Sequence, residues 1–204
     1  MESSPEAVRG PQLAGIALPD RLDDWEAVGF RATGELVSVG DLTVALGRGI
    51  SEPHWWFEPA VSGSIHGIPC TSPEESPGGA NPNGADGVDH IVVMSPNLAA
   101  TTAALEERGF ELRRSRPLGS QEQRFFWAGT TIIELVGPAV PTGTGPASIW
   151  GLALVCDDLD AAKALLGQRL SDPKDAVQPG RRIAAIRTED HNISITIALM
   201  SHHR

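Results

Sequence analysis

Val88-Asp89-His90-Ile91-Val92-Val93-Met94 and Thr130-Thr131-Ile132-Ile133-Glu134-Leu135-Val136 are the two stretches on which the fold turns. Each is an apolar run of strand length that carries a polar side chain an apolar strand does not need. Side chains alternate across a strand, so His90, Val92 and Met94 share one face, and Ile132, Glu134 and Val136 share one face of theirs. A carboxylate in such a run is costly to bury unless paired, so Glu134 is expected to line a cavity or bind something. Between the two runs lies a helix that starts near Pro96, has Leu98 and Leu105 two turns apart, and is closed by Gly109-Phe110. Strands at Phe110-Glu111-Leu112 and Arg124-Phe125-Phe126-Trp127 complete a β-α-β-β-β unit.

The unit recurs. Ser148 to Val155 reads as a strand, and Asp157 or Asp158 caps a helix with Leu159, Ala162, Leu165 and Leu166 on its buried side. A loop over residues 172–181 and a closing hairpin, Arg182 to Arg187 with Ile193 to Met200, follow. Laid over each other without a gap, the two units match Asn97-Leu98-Ala99-Ala100 with Asp158-Leu159-Asp160-Ala161, and Leu105 with Leu166. Each is a four-stranded sheet with one covered face, so two must associate to close a core. Residues 11–70 read as a degenerate first copy: a strand at 12–18, a short helix capped by Asp20, two strands around the turn Gly40-Asp41, and a less regular segment containing His54-Trp55-Trp56-Phe57. Residues 71–87, dominated by proline, glycine, serine and asparagine, form a linker; residues 1–10 read as a disordered leader, and His202 and His203 as an inert tail. The paired domain is then 88–201, with modules at 88–138 and 148–201.

At 204 residues the chain supports a core that folds without staples. Its formal net charge of -10 argues against nucleic acid or an anionic membrane as partner, because a polyanion would be repelled. Cys70 and Cys156 fit neither a disulfide framework nor a paired redox motif. Met1 to Gly10 lacks the basic-then-apolar order of a signal peptide, and no apolar run reaches the length of a membrane span, so a cytoplasmic protein is expected. The chain shows no phosphate loop, dinucleotide fingerprint or nucleophile-histidine-acid arrangement.

The order of the motifs Asp89-His90-Ile91-Val92-Val93, Asn97-Leu98, Gly109-Phe110 and Ile133-Glu134-Leu135-Val136, echoed by Asp158-Leu159-Asp160-Ala161-Ala162, resembles the vicinal oxygen chelate superfamily. That superfamily includes glyoxalase I, methylmalonyl-CoA epimerase, extradiol dioxygenases and the bleomycin- and fosfomycin-resistance proteins. The resemblance implies an α+β fold in which paired βαβββ modules form a cupped mixed sheet, here with a degenerate additional N-terminal module. It also implies metal ligands from the first and last strands of each module, and it allows a homodimer, since modules swap between chains in this family. His90 and Glu134 occupy the two ligand positions of the module at 88–138, for zinc, nickel, iron or manganese, and Glu134 could serve as a general base instead. The overlay puts Gly151 and Thr196 or a neighbour at the corresponding positions of the next module, and Ala14 or Gly15 in the first copy. None is a ligand of consequence, so a third donor would have to come from His191, His54, His66 or a partner chain.

Arg124, Phe125, Phe126 and Trp127 could clamp a planar or anionic ligand, or they could fill the core. A bulge would invert their parity, so both assignments stay open. Arg181-Arg182 could hold a carboxylate or phosphate, or be a solvated pair. The expected ligand-binding set is Arg124, Phe126, Trp127 and Thr196, around a small-molecule ligand. Two functions are compatible with this set: a glyoxalase-like metal-dependent lyase, isomerase or dioxygenase, or a metal-free binding protein of the bleomycin-resistance type. A third possibility is an interaction module whose cup is filled by its own side chains.

Overall fold

The computed structural model describes residues 10–202; the expected leader apart from Gly10, and His203 of the expected tail, lie outside the described residues. The chain opens with a small complete module: β1 (Gln12–Ala17), α1 (Leu22–Ala27), β2 (Ala32–Thr33), β3 (Leu36–Val39) and β4 (Leu42–Ala45), with β4 parallel to β1. β5 (His54–Glu58) then pairs antiparallel with the other side of β1 and closes a five-stranded sheet of order β2-β3-β4-β1-β5. After the hairpin β6 (Ser64–Ile65) and β7 (Ile68–Pro69), Cys70 bridges Trp55 in parallel, and the Thr71 amide donates to the Trp55 carbonyl at 3.0 Å.

The second module is β8 (Ala85–Met94), α2 (Leu98–Glu106), β9 (Glu111–Leu118), β10 (Gln121–Ala128) and β11 (Thr131–Pro138). The third is β12 (Ser148–Cys156), α3 (Leu159–Leu166), β13 (Lys174–Asp175), β14 (Arg182–Ala185) and β15 (Thr196–Met200). β11 is parallel to β8, β15 is parallel to β12, and the antiparallel pair β8–β12 welds both modules into one cupped sheet of order β13-β14-β15-β12-β8-β11-β10-β9. The N-terminal sheet repeats the scheme in part. β5 lies beside β1 as β12 lies beside β8, and Cys70-Thr71 lies beside β5 as β15 lies beside β12. Residues 54–71 therefore stand to the first module as the third module stands to the second, but without a helix, a relation the irregular sequence of that segment conceals.

One continuous core holds Trp25 of α1, Leu98 and Leu105 of α2, Leu159, Ala162 and Leu166 of α3, and the inward faces of both sheets. The helices therefore lie between the sheets, and the cup opens on the far side. Asn97 caps α2 and Asp158 caps α3, as their side-chain chemistry dictates. Asp20 does not cap α1, whose cap position is Arg21 with no side-chain bond. Asp20 is buried instead, taking the Trp25 indole N–H at 2.9 Å and the Ser194 amide at 2.9 Å, and so ties the first module to the third. Among the described residues no helix is long and apolar enough to cross a membrane.

The segment between the sheets is bonded, not free, and β8 begins at Ala85, inside the stretch read as linker. Asn81 is buried, accepts from the Arg31 amide at 3.0 Å and donates to the Ser38 and Ala85 carbonyls at 2.8 and 2.9 Å. Asn83 donates to the Val28 carbonyl at 3.0 Å and accepts from the Ala85 amide at 3.1 Å. Removing the Asn81 amide strands two buried carbonyls and one partly buried N–H, at about 1 kcal/mol or somewhat more each. Asn81→Ala is thus expected to lower the unfolding free energy by roughly 2–4 kcal/mol in urea titration; a change below about 0.5 kcal/mol would mean that the segment contributes nothing to holding the sheets together.

Candidate functional site

The exposed face of the eight-stranded sheet can be read as rows that follow the register. Across the second module one row runs Arg114, Phe125, Glu134, Val92 and on to Gly151 and Thr196; the next runs Trp127, Ile132, His90, Ala153 and Ala198. Ile91, Val93, Ile133 and Leu135 are buried on the other face, so His90 and Glu134 share the cup as strand alternation requires.

A β-bulge refines this arrangement. The register passes from Ala153 opposite His90 to Leu154 opposite Val88, which leaves Asp89 as the extra residue. Val88 packs against the core, so Asp89 turns to the face of its neighbour, and its carboxylate contacts His90 Nδ1 at 2.7 Å. The other ring nitrogen, Nε2, lies 3.3 Å from a Glu134 oxygen. The second Glu134 oxygen accepts from the Gln123 side-chain amide. On the far side Arg181 donates to Asp89, and also to the Ser201 carbonyl at 2.7 Å and to the Gln178 amide oxygen at 3.1 Å. A polar chain therefore crosses the cup floor: Gln123, Glu134, His90, Asp89, Arg181.

Charge accounts for its geometry. Arg181 is 1% exposed, which is tolerable for a guanidinium only because Asp89 and the two oxygens surround it. Burial pushes the Asp89 carboxyl up, but hydrogen bonds from His90 and Arg181 outweigh it and leave the group at about 2. A permanent carboxylate at Nδ1 makes that nitrogen the donor and presents Nε2 to Glu134.

The sequence-predicted site residues divide. His90, Glu134, Trp127 and Thr196 are on cup-facing positions. Arg124 and Phe126 are not. Phe126 is fully buried in the core, and Arg124 reaches α2, donating to Thr102 Oγ1 at 2.8 Å, to the Leu98 carbonyl at 3.4 Å and to Glu122 at 2.7 Å. The expected clamp is corrected by strand parity, and the cup-facing residues of β10 are Gln123, Phe125 and Trp127. The basic component comes from β9. The register passes from Phe125 opposite Arg114 to Phe126 opposite Leu112, so a bulge at Arg113 puts two arginines on one face. Arg113 stands over Trp127 at 4.5 Å and Arg114 over Phe125 at 4.9 Å. Arg181, read as either a ligand for an anion or a solvated charge, is neither of these but the buried anchor of Asp89. Nothing in a local pattern marks it, because its partner is far away in the chain.

The second half of the cup has no matching ligand pair. Register matches the pair His90 and Glu134 with Gly151 and Ala198, not with Gly151 and Thr196, and with Gly15 and Ala45 in the N-terminal sheet. A Cβ on Gly151 would lie 2.6 Å from the Thr196 carbonyl oxygen, so the backbone there leaves no space for a side chain. A Cβ on Gly15 would strike the Trp56 ring. A catalytic zinc takes three protein ligands, and a non-haem iron two histidines and a carboxylate. The candidates for a third donor are elsewhere: His66 bonds Thr101 at 2.7 Å on the helix side, His54 is in β5, and His191 lies in the short helical turn at Thr188–His191 that contacts α1. The residues present do not fit a divalent centre of that kind. Among the described residues, one group of three metal-binding side chains has donor atoms within 4.8 Å of one another: Asp86, Asp157 and His202, all exposed. Asp157 and Asp86 hold His202 at 2.8 and 3.3 Å, so this residue of the expected inert tail is in fact pinned.

No protein-family model and no curated protein matches the sequence. Solved structures do resemble the fold. A halotolerant catechol dioxygenase aligns over 96% of this chain and 87% of its own, at 13% identity and a TM-score of 0.58. A fusion of a xylose isomerase-like TIM barrel with a 4-hydroxyphenylpyruvate dioxygenase aligns over 98% of this chain and 50% of its own, at 13% identity and a TM-score of 0.58. Methylmalonyl-CoA epimerase from Mycobacterium tuberculosis aligns over 59% of this chain and 91% of its own, at 18% identity and a TM-score of 0.47. The chain has the fold of the vicinal oxygen chelate superfamily, as its motifs imply. At these identities the likeness extends to the fold alone.

The Asp89 carboxylate gives a direct test of the polar chain. Its folded value, about 2, lies below the ordinary 3.8, so its stabilisation is fully present above pH 4 and is lost as pH falls toward 2. Wild type is expected to exceed Asp89→Asn by roughly 1–3 kcal/mol near pH 6, and the gap should close by about pH 2 in denaturant titrations. A gap independent of pH would mean that Asp89 is not held ionised by His90 and Arg181.

Proposed function

We propose that this chain is a metal-free binding protein for a small oxygenated molecule, held in the cup of the eight-stranded sheet. The carrying observation is the register: where the third module would supply its own ligand pair, it has Gly151 and Ala198. With Ala153 and Thr196 these make a floor of small side chains, against a wall of Phe125, Trp127 and the polar chain. Such a surface has apolar area for a planar group and a few fixed polar atoms, which is what small-molecule sites consist of.

The division of work follows from the residues. Ala198, partly exposed, lies beneath the ligand. Phe125 and Trp127 cover its apolar part, and Trp150, the extra residue of a bulge in β12, is 51% exposed at the cup. Glu134, held by Gln123 and by His90, which Asp89 orients in turn, presents its remaining lone pairs to a hydroxyl of the ligand. The alternative, a metal-dependent lyase, isomerase or dioxygenase, requires a third donor, and the other carboxylate of the cup floor, Asp89, is taken by Arg181 and His90 Nδ1.

Protein purified without a histidine tag is expected to carry less than about a tenth of an equivalent of zinc, nickel, iron or manganese, unchanged in His90→Ala and Glu134→Ala. A stoichiometric metal lost from both variants would overturn the proposal. Catechol is expected to quench tryptophan emission saturably, and Ala198→Leu, which fills the floor, to weaken it by about tenfold or more while circular dichroism stays unchanged.

A further inference from the structure

The cup combines two features that the binding reading leaves unused. The first is charge. β9 carries Arg113, Arg114 and Arg116, and the bulge at Arg113 aligns Arg113 and Arg114 with the cup while Arg116 stands opposite Gln123. Two guanidinium groups lie over aromatic rings, which fixes their positions without neutralising them. Among the described residues none of the three forms an ion pair with a carboxylate, although the chain has 26 acidic side chains against 16 basic ones. Like charges on neighbouring positions repel each other, and an anion placed between them relieves that repulsion.

The second feature is a stranded acceptor. Gln123 Oε1 is buried and has no hydrogen-bond partner, which is uncommon for a polar atom cut off from water. Rotating the amide does not help, because the Glu134 oxygen needs the N–H that Gln123 now gives it. Gln123 stands on the cup-facing side of β10, so a donor carried by a ligand in the cup would satisfy this acceptor. Gln123 pairs across the sheet with Arg116 and sits diagonally from Arg114, which faces Phe125. Diagonal neighbours on one face are about 7–8 Å apart, roughly the span of a benzene ring with a polar group at each end.

Resting on the binding reading above, we infer that the cup selects a hydroxylated aromatic carboxylate, its carboxylate on the arginines of β9 and its hydroxyl donating to Gln123 Oε1. Phe125 and Trp127 flank the ring. An amine at the same end would meet three positive charges, and a compound without the hydroxyl would leave the acceptor unpaired.

Isothermal titration of the whole chain at neutral pH and low salt would test this with 4-hydroxybenzoate, 4-methoxybenzoate, phenol, 4-hydroxybenzylamine and catechol. The expected result is tightest binding of 4-hydroxybenzoate, with the methoxy acid and phenol each weaker by about tenfold or more and the amine not binding. Arg113→Gln combined with Arg114→Gln should weaken 4-hydroxybenzoate about tenfold and leave phenol unchanged. The inference is overturned if the amine rivals the acid, if the methoxy acid equals the hydroxy acid, or if the double variant keeps full affinity for the acid. Catechol separates this inference from the reading beneath it. Binding of catechol without preference for the acid refutes the ligand class alone, whereas no binding by any of the five refutes both.

Discussion

The antiparallel pairing of β8 with β12 is the contact on which the rest of the molecule depends. Each βαβββ module has one sheet face covered by its helix and one left open, and neither makes a cavity alone. Joining first strand to first strand aligns the open faces into a cup and places α2 and α3 together on the other side, where α1 and the five-stranded sheet close the core. Bulges mark both strands of the seam, at Asp89 and at Trp150, each just before the position that would carry a ligand. A bulge adds a residue without breaking the ladder, so each strand presents two consecutive residues to the cup. Ala14 is the extra residue of β1 opposite β5, at the matching place in the N-terminal sheet.

The two halves of the cup have diverged in opposite directions. On the second module the bulge delivers Asp89 beside His90, and the long-range pairing with Arg181 makes that carboxylate a fixed charge. A buried guanidinium is tolerated there because breaking such a pair costs more than forming it gains, so the loop at 172–181 is tied to the floor of the cup. On the third module the same positions hold Gly151 and Ala198, and the space is empty of donors. Polar chemistry and volume are thus separated across the seam.

Much of this was legible in the sequence. The period-two runs at His90 and Glu134, the helix caps Asn97 and Asp158, and the repeat of the second and third modules are local signals, set by alternation, by capping and by residue size within a few positions. They determined the fold and put His90 and Glu134 on one face, and the overlay on Gly151 and Thr196 pointed to a missing second ligand pair. Tertiary structure decided the rest. Arg124 and Phe126 turned to the helix layer because parity in an aromatic run is undetermined until register is set. Asp89 joined the cup because a bulge shifted β8 against β12, Arg181 was buried by a carboxylate about ninety residues away, and Asp20 left its helix to bond Trp25 and Ser194. The physical reason is common to all of them. An alternating pattern states that two faces exist, but only pairing with another strand fixes the register that assigns each side chain to one of them.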